Sequence, residues 1–148
     1  MDEFNIDPSS MSEEDLEIIR AACCDILDIA EAGEMDELEM LAATTCLRHV
    51  VVRDSLLSFI AAEGGEIEEC MLSMLTRMTY ETTSGSAPMA TMASIIYWMR
   101  NEPELALTAL DIALMDEPDY SLAMLTSNIF ESGTTAQEVR KILVDSLL

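Results

Sequence analysis

"SIIYWMRNEPELALTALDIALMDEPDYSLAML", residues 94–125, is the stretch whose reading decides the fold. Its apolar residues recur at three- and four-residue steps, the period of a helix that buries one face. Pro103 suits the first turn of a helix, and Pro118 forces a break. The stretch therefore predicts one helix ending near Arg100, a second over 103–116 and a third from Tyr120. Ser94, Ala106 and Ala113 are small at the points where the first two helices would cross closely. Tyr97 fills a larger position. This is the pattern of a helical hairpin built for packing rather than for holding a peptide.

The same period runs outward in both directions. Ser12 before "EED" reads as an N-cap, with acids at the positive end of the helix dipole. Leu16, Ile19, Cys23, Ile26 and Ala30 form its inward face, and Gly33 is the stop. A second helix is expected from about Asp36 to about Arg48, with Leu38, Leu41, Ala42 and Thr45 inward. "HVVVRD" at 49–54 is β-branched and reads either as an extended link or as more helix. "SLLSFIAA" makes a third helix closed by Gly64 and Gly65. A fourth follows, with Ile67, Cys70, Met71, Met74, Leu75 and Met78 inward. "TTSGSAP" at 82–88 is a loop that delivers Pro88 to the first turn of a fifth. After Tyr120–Ile129, Thr135 and Glu138 form a capping box that opens the last helix, whose Arg140 and Lys141 suit its own dipole. The expected fold is all-α, a compact bundle of six to eight helices, with residues 1–11 as a flexible N-terminus and 12–148 as a single acidic domain.

Composition agrees. Half of the chain is apolar but only 5% is aromatic, and Gly and Pro are sparse, which favours helices over a turn-rich β-sandwich. The net charge of −22 excludes direct nucleic-acid binding and anionic membranes, and it favours partners with a basic surface. Residues 1–40 hold 14 acids against Arg20 alone, so the charge is concentrated there. No basic n-region opens the chain and no apolar run is long enough to span a bilayer. Cys23, Cys24, Cys46 and Cys70 lack paired metal or redox spacing and read as small core residues, consistent with a cytoplasmic compartment.

No catalytic set emerges. His49 is the only histidine, and no G-x-S-x-G accompanies it. There is no zinc spacing and no Gly-rich phosphate loop. "EMDELE" and "EGGEIEE" lack the alternating ligands of an EF-hand. No enzyme activity, metal or cofactor is expected.

The 88–120 hairpin resembles a single tetratricopeptide repeat, in which small residues let two helices approach and a proline closes the unit. It departs from that family at Ala90, where Trp is usual, and at Asn101, where the turn usually has Gly. No second copy follows, and solenoids need about three. A broader resemblance covers roughly residues 36–135. Arg53, Asp54, Arg100, Ala106, Asp111, Ala113, Pro118, Tyr120, Leu122 and Ala123 are similar to the C-terminal helical half of an actinobacterial family, domain of unknown function 4192. The resemblance implies a helical fold, an actinobacterial host, plasmid or phage, and relatives with a longer N-terminal half. It implies no reaction.

What remains is binding. On the first helix Glu14 and Asp25 lie eleven residues apart, as do Glu17 and Asp28, forming two neighbouring acidic rows opposite Leu16 and Ile19. Glu13, Glu34, Asp36, Glu37 and Glu39 extend the acidic region. The expected function is a non-catalytic module that meets a basic protein through residues 12–39. One alternative is a phage- or plasmid-encoded DNA mimic that inhibits a host nucleic-acid-binding protein. Another is an enzyme subunit that needs a missing half. Solubility alone also accounts for surplus charge on a methionine-rich chain. Met92, Met99, Met115 and Met124 read as core filler or as a groove or homodimer contact.

Overall fold

The computed structural model describes residues 10–82 and 84–146, and among these every regular element is a helix. The elements are α1 Glu13–Ala32, α2 Glu37–Leu47, α3 Val50–Glu63, α4 Gly65–Glu81, α5 Ala87–Met99, α6 Pro103–Asp116, α7 Ser121–Glu131 and α8 Ala136–Asp145. The expected flexible lead-in over residues 1–9 lies outside the described residues. Met11 is half-buried against the core.

Helix α5 is the axis of the fold. Its sequence has no polar face, and a helix that is apolar all round is a buried one. Every residue from Ala87 to Ile96 is buried. Helices α3, α4, α6, α7 and α8 pack around it. Its two buried hydroxyls find acceptors: Thr91 donates to Ala87 O at 2.7 Å and Ser94 to Ala106 O at 2.7 Å. The second bond joins α5 to α6 directly, and it needs the close approach that Ala106 and Ala113, both fully buried, allow. The two helices run antiparallel, because Ala87 at the start of α5 meets Asp116 at the end of α6.

The turn between them is a Schellman motif. Asn101 N–H donates to Trp98 O at 3.0 Å and Glu102 N–H to Tyr97 O at 2.9 Å. Asn101 takes the left-handed conformation, φ 62°, that this motif demands.

The main core joins α1–α6 and α8. Leu47, Leu56, Leu57, Ile60, Met71, Leu75 and Met78 are almost fully enclosed. Each such side chain contributes about 1.5–3 kcal/mol relative to exposure. A second cluster, with Leu110, Tyr120 and Phe130, holds α7 to the hairpin. There Trp98 stacks on Phe130 at 4.0 Å and donates to Thr134 O at 2.9 Å.

Two readings need correction, on α2 and at Arg140, and the open one at 49–54 is decided. On α2, Leu38 and Leu41 are 75% and 64% exposed, and Ala42 and Thr45 are exposed too. The buried side is Ala43 and Leu47, with Met40 beside them. This short helix is apolar on both sides, so periodicity alone did not fix which side turns inward. The 49–54 segment is helical from Val50, and only His49, at the N-cap, is extended. Arg140 does not serve the dipole of α8. Its guanidinium donates to Ala61 O at 2.8 Å and Met99 O at 3.3 Å, in the last turns of α3 and α5.

Candidate interaction surface

Ser12 accepts from Asp15 N–H at 3.1 Å and starts α1. Asp36 and Glu39 form a reciprocal capping box that starts α2, with bonds of 2.7 and 3.1 Å. Asp36 and Glu39, two of the three acids named for partner contact at the start of α2, thus also carry a structural duty. Ile19, Ile26 and Ala30 fix the inward face of α1. With that face set, Glu13, Glu14, Glu17, Asp25 and Asp28 are all exposed, as are Glu34, Asp36 and Glu37.

The bundle divides the two acidic rows. At about 100° per residue, Glu13 and Glu31 fall on the flank that turns toward α3, and Glu17 and Asp28 lie on the crest opposite the buried face. Glu14 and Asp25 fall on the opposite flank. Asp25 there helps raise the pKa of Cys46 on α2, although burial is the larger cause. Sequence reasoning had not singled out Glu31, whose place depends on where α3 lies.

Between α1 and α3 runs a groove of about 310 Å³. Ile19, Val51 and Leu56 floor it, and Leu16, Leu27 and Phe59 wall it. Cys24 is exposed at its edge. Cys23 lies deeper, and burial first, then Cys24 and Cys46, push its thiol up to about 11. That thiol is a poor nucleophile at neutral pH. All four cysteines are free.

Arg20 is the one base on α1 itself, and the other bases are occupied elsewhere. Arg48 pairs with Glu117 at 2.7 Å, Arg77 with Glu81 at 3.1 Å and Lys141 with Asp145 at 2.6 Å. Arg100 reaches Glu68 and Glu69 at 3.4 and 3.3 Å. Arg53 is buried, with Nε on Asp54 at 2.9 Å and Nη1 on the Tyr120 hydroxyl at 2.8 Å. Burial works against its charge, but Asp54 and Tyr120 outweigh burial and hold the guanidinium above its usual range. Among the described residues, no ion pair reaches the acids of α1 or of the α1–α2 turn. Asp111 and Pro118 are exposed, whereas Ala106, Ala113 and Tyr120 are buried, so the motif residues are mostly joints of the fold.

Among the described residues no group of three His, Cys, Asp or Glu side chains is placed to hold a metal, and no helix is long and apolar enough to cross a membrane. His49 stands at the start of α3, where its N–H donates to Cys46 O.

A family model described as Domain of unknown function (DUF4192) matches residues 2–137. The match takes in α1 as well as the stretch from 36 onward. No curated protein and no solved structure matches the chain.

Proposed function

The chain belongs to the DUF4192 family, and on that premise we propose that it is a non-catalytic acidic helical module that binds a protein with a basic surface. One observation carries the reading: the ten carboxylates of residues 13–37 are exposed on a rigid helix and its following turn, with Arg20 as the only base among them. Uncompensated charge of this kind steers a basic partner and makes its on-rate sensitive to salt. The α5–α6 hairpin, similar to one tetratricopeptide unit, is the packing axis in this reading and not the binding surface. An actinobacterial source and a cytoplasmic setting go with it.

The test is affinity purification from an actinobacterial lysate with the natural chain and with a Glu14→Gln, Glu17→Gln, Asp25→Asn, Asp28→Asn variant. A specific partner should be retained at low salt by the first and lost by the second. Equal retention at low salt would remove the charged surface from the argument. A DNA mimic remains the second reading, because the rows place carboxylates about 16 Å apart along one helix. Its partner would bind DNA and be displaced by it, whereas the favoured reading expects indifference to added DNA.

A further inference from the structure

The groove between α1 and α3 has the form of a seat for one more helix. From Leu16 to Leu27 it runs about 16 Å, about three helical turns. Its floor is apolar and its walls are half-buried, so an occupant would remove them from water. Of the residues lining it, Arg20 alone carries charge. Along its outer edge the helical phase sets Glu13, Glu17 and Glu31, all exposed, three carboxylates to the one guanidinium of Arg20. The edge is net negative despite Arg20, so an occupant apolar on one side and basic on the neighbouring side complements it.

We infer that this groove docks a short amphipathic basic helix of a partner protein, with leucine-like side chains in the groove and lysines or arginines against Glu13, Glu17 and Glu31. The inference rests on the reading of the chain as a module for basic partners, and it names the place and the shape of the contact. Helix-in-groove recognition uses anchors at i, i+3/i+4 and i+7, which fits a groove of this length. The Glu14–Asp25 row, on the other flank of α1, takes no direct part.

The test uses the full chain and two synthetic peptides of one composition. In the first, leucines follow the i, i+3/i+4, i+7 pattern on one face and lysines cover the rest. In the second, the same leucines are spread around the helix. Two signals are read: fluorescence anisotropy of the labelled peptide, and the alkylation rate of Cys24 by iodoacetamide, followed by mass spectrometry. The patterned peptide should bind at least tenfold more tightly than the scrambled one and slow Cys24 alkylation several-fold. The Glu17→Gln, Glu31→Gln pair should weaken it more than the Glu14→Gln, Asp25→Asn pair. Equal binding of both peptides, with Cys24 unprotected and both acid pairs equally costly, would overturn the groove and leave the charged-surface reading standing. Failure of both peptides to bind at low salt would overturn the two together. A concentration-dependent dimer that shields Cys24 without peptide would assign the groove to a second copy and overturn the inference.

Discussion

Glu68 Oε2 lies 2.7 Å from Arg140 Nη2, and this contact ties the first turn of α4 to α8. The contact lies off the hydrogen-bond direction, so its strength is mainly Coulombic. Arg140 spends its directed hydrogen bonds on the carbonyl ends of α3 and α5. One cation thus serves the negative ends of two helix dipoles, and a carboxylate at the positive end of a third neutralises it.

The two partners differ in exposure, so their removal differs in cost. Glu68 is 4% exposed and Arg140 31%. Arg140→Ala strands a buried carboxylate with Arg100 at 3.4 Å and orphans two helix-end carbonyls. It should cost about 3–4 kcal/mol, in the range for breaking a buried pair. Glu68→Gln leaves Arg140 with its carbonyls and some water, and should cost about 1–2 kcal/mol. Urea denaturation of both variants checks the order, and a smaller loss for Arg140→Ala would contradict the geometry.

A second joint closes the hairpin. Asp116, on α6, accepts from Gly85 N–H at 3.1 Å and Ala87 N–H at 3.0 Å, and so caps α5 from outside. Asp116→Ala should cost about 1–2 kcal/mol, the usual loss of an N-terminal cap. Gly85 has φ 82°, and a Cβ there would stand 2.9 Å from Arg48 Nη2. Gly85→Ala should therefore strain the backbone by about 1–2 kcal/mol and also push Arg48 off Glu117. In an Arg48→Ala background the second part disappears and the first persists. Thermal melts of the double-mutant cycle read the difference.

The helical body was legible because three- and four-residue spacing, Pro103, Pro118 and the Ser12 and Thr135 caps are local signals. The ends of α6 match the reading from Pro103 to Asp116. Leu38 and Leu41 were misread because α2 offers apolar residues on both sides, and the neighbouring helices choose between them. Glu68, Arg140 and Asp116 were missed as joints for a related reason. Their partners are 29 or more residues away, and nothing local distinguishes them from solvated charges. The acidic surface was legible from charge counting. Which of its acids lie beside α3 was not, because that depends on where the bundle receives α1.

Asn101 sits at the one left-handed non-glycine position among the described residues. Its Schellman bonds need no side chain. Asn101→Gly should stabilise the hairpin by up to about 1 kcal/mol, and Asn101→Ala should destabilise it by about 1 kcal/mol. Chemical denaturation of the two variants should bracket the natural chain. A loss of stability with glycine would mean that the Asn side chain contributes more than its backbone conformation.

The buried thiol of Cys23 makes stability depend on pH at the alkaline end. An unfolded thiol ionises near 9.0, whereas the folded one needs about 11. Above pH 9 the unfolded state has released a proton that the folded state still holds, so stability falls as pH rises. The fall ends near pH 11, where both states are ionised. Cys23→Ala should melt with a shallower slope between pH 8.5 and about 10.5. An unchanged slope would show that other groups govern the alkaline limit. At pH 8 iodoacetamide should modify exposed Cys24 long before Cys23.

Self-repulsion among the α1 carboxylates supplies a last measurement that needs no partner. The exposed rows gain no compensating cation on folding, while the folded helix holds them closer together than the unfolded chain does. At low ionic strength the repulsion reaches across neighbouring rows, and at 0.15 M the Debye length of about 8 Å confines it. The natural chain should therefore melt higher as sodium chloride rises from about 10 to 200 mM, the interval over which that length shrinks most. The Glu14→Gln, Glu17→Gln, Asp25→Asn, Asp28→Asn variant should melt higher than the natural chain at low salt and lose much of that dependence. If instead the natural chain's melting point ignores salt and neutralisation lowers it, the acids are engaged in contacts that hold the fold. They would then not be free to meet a basic partner, and the proposed surface would fall with them.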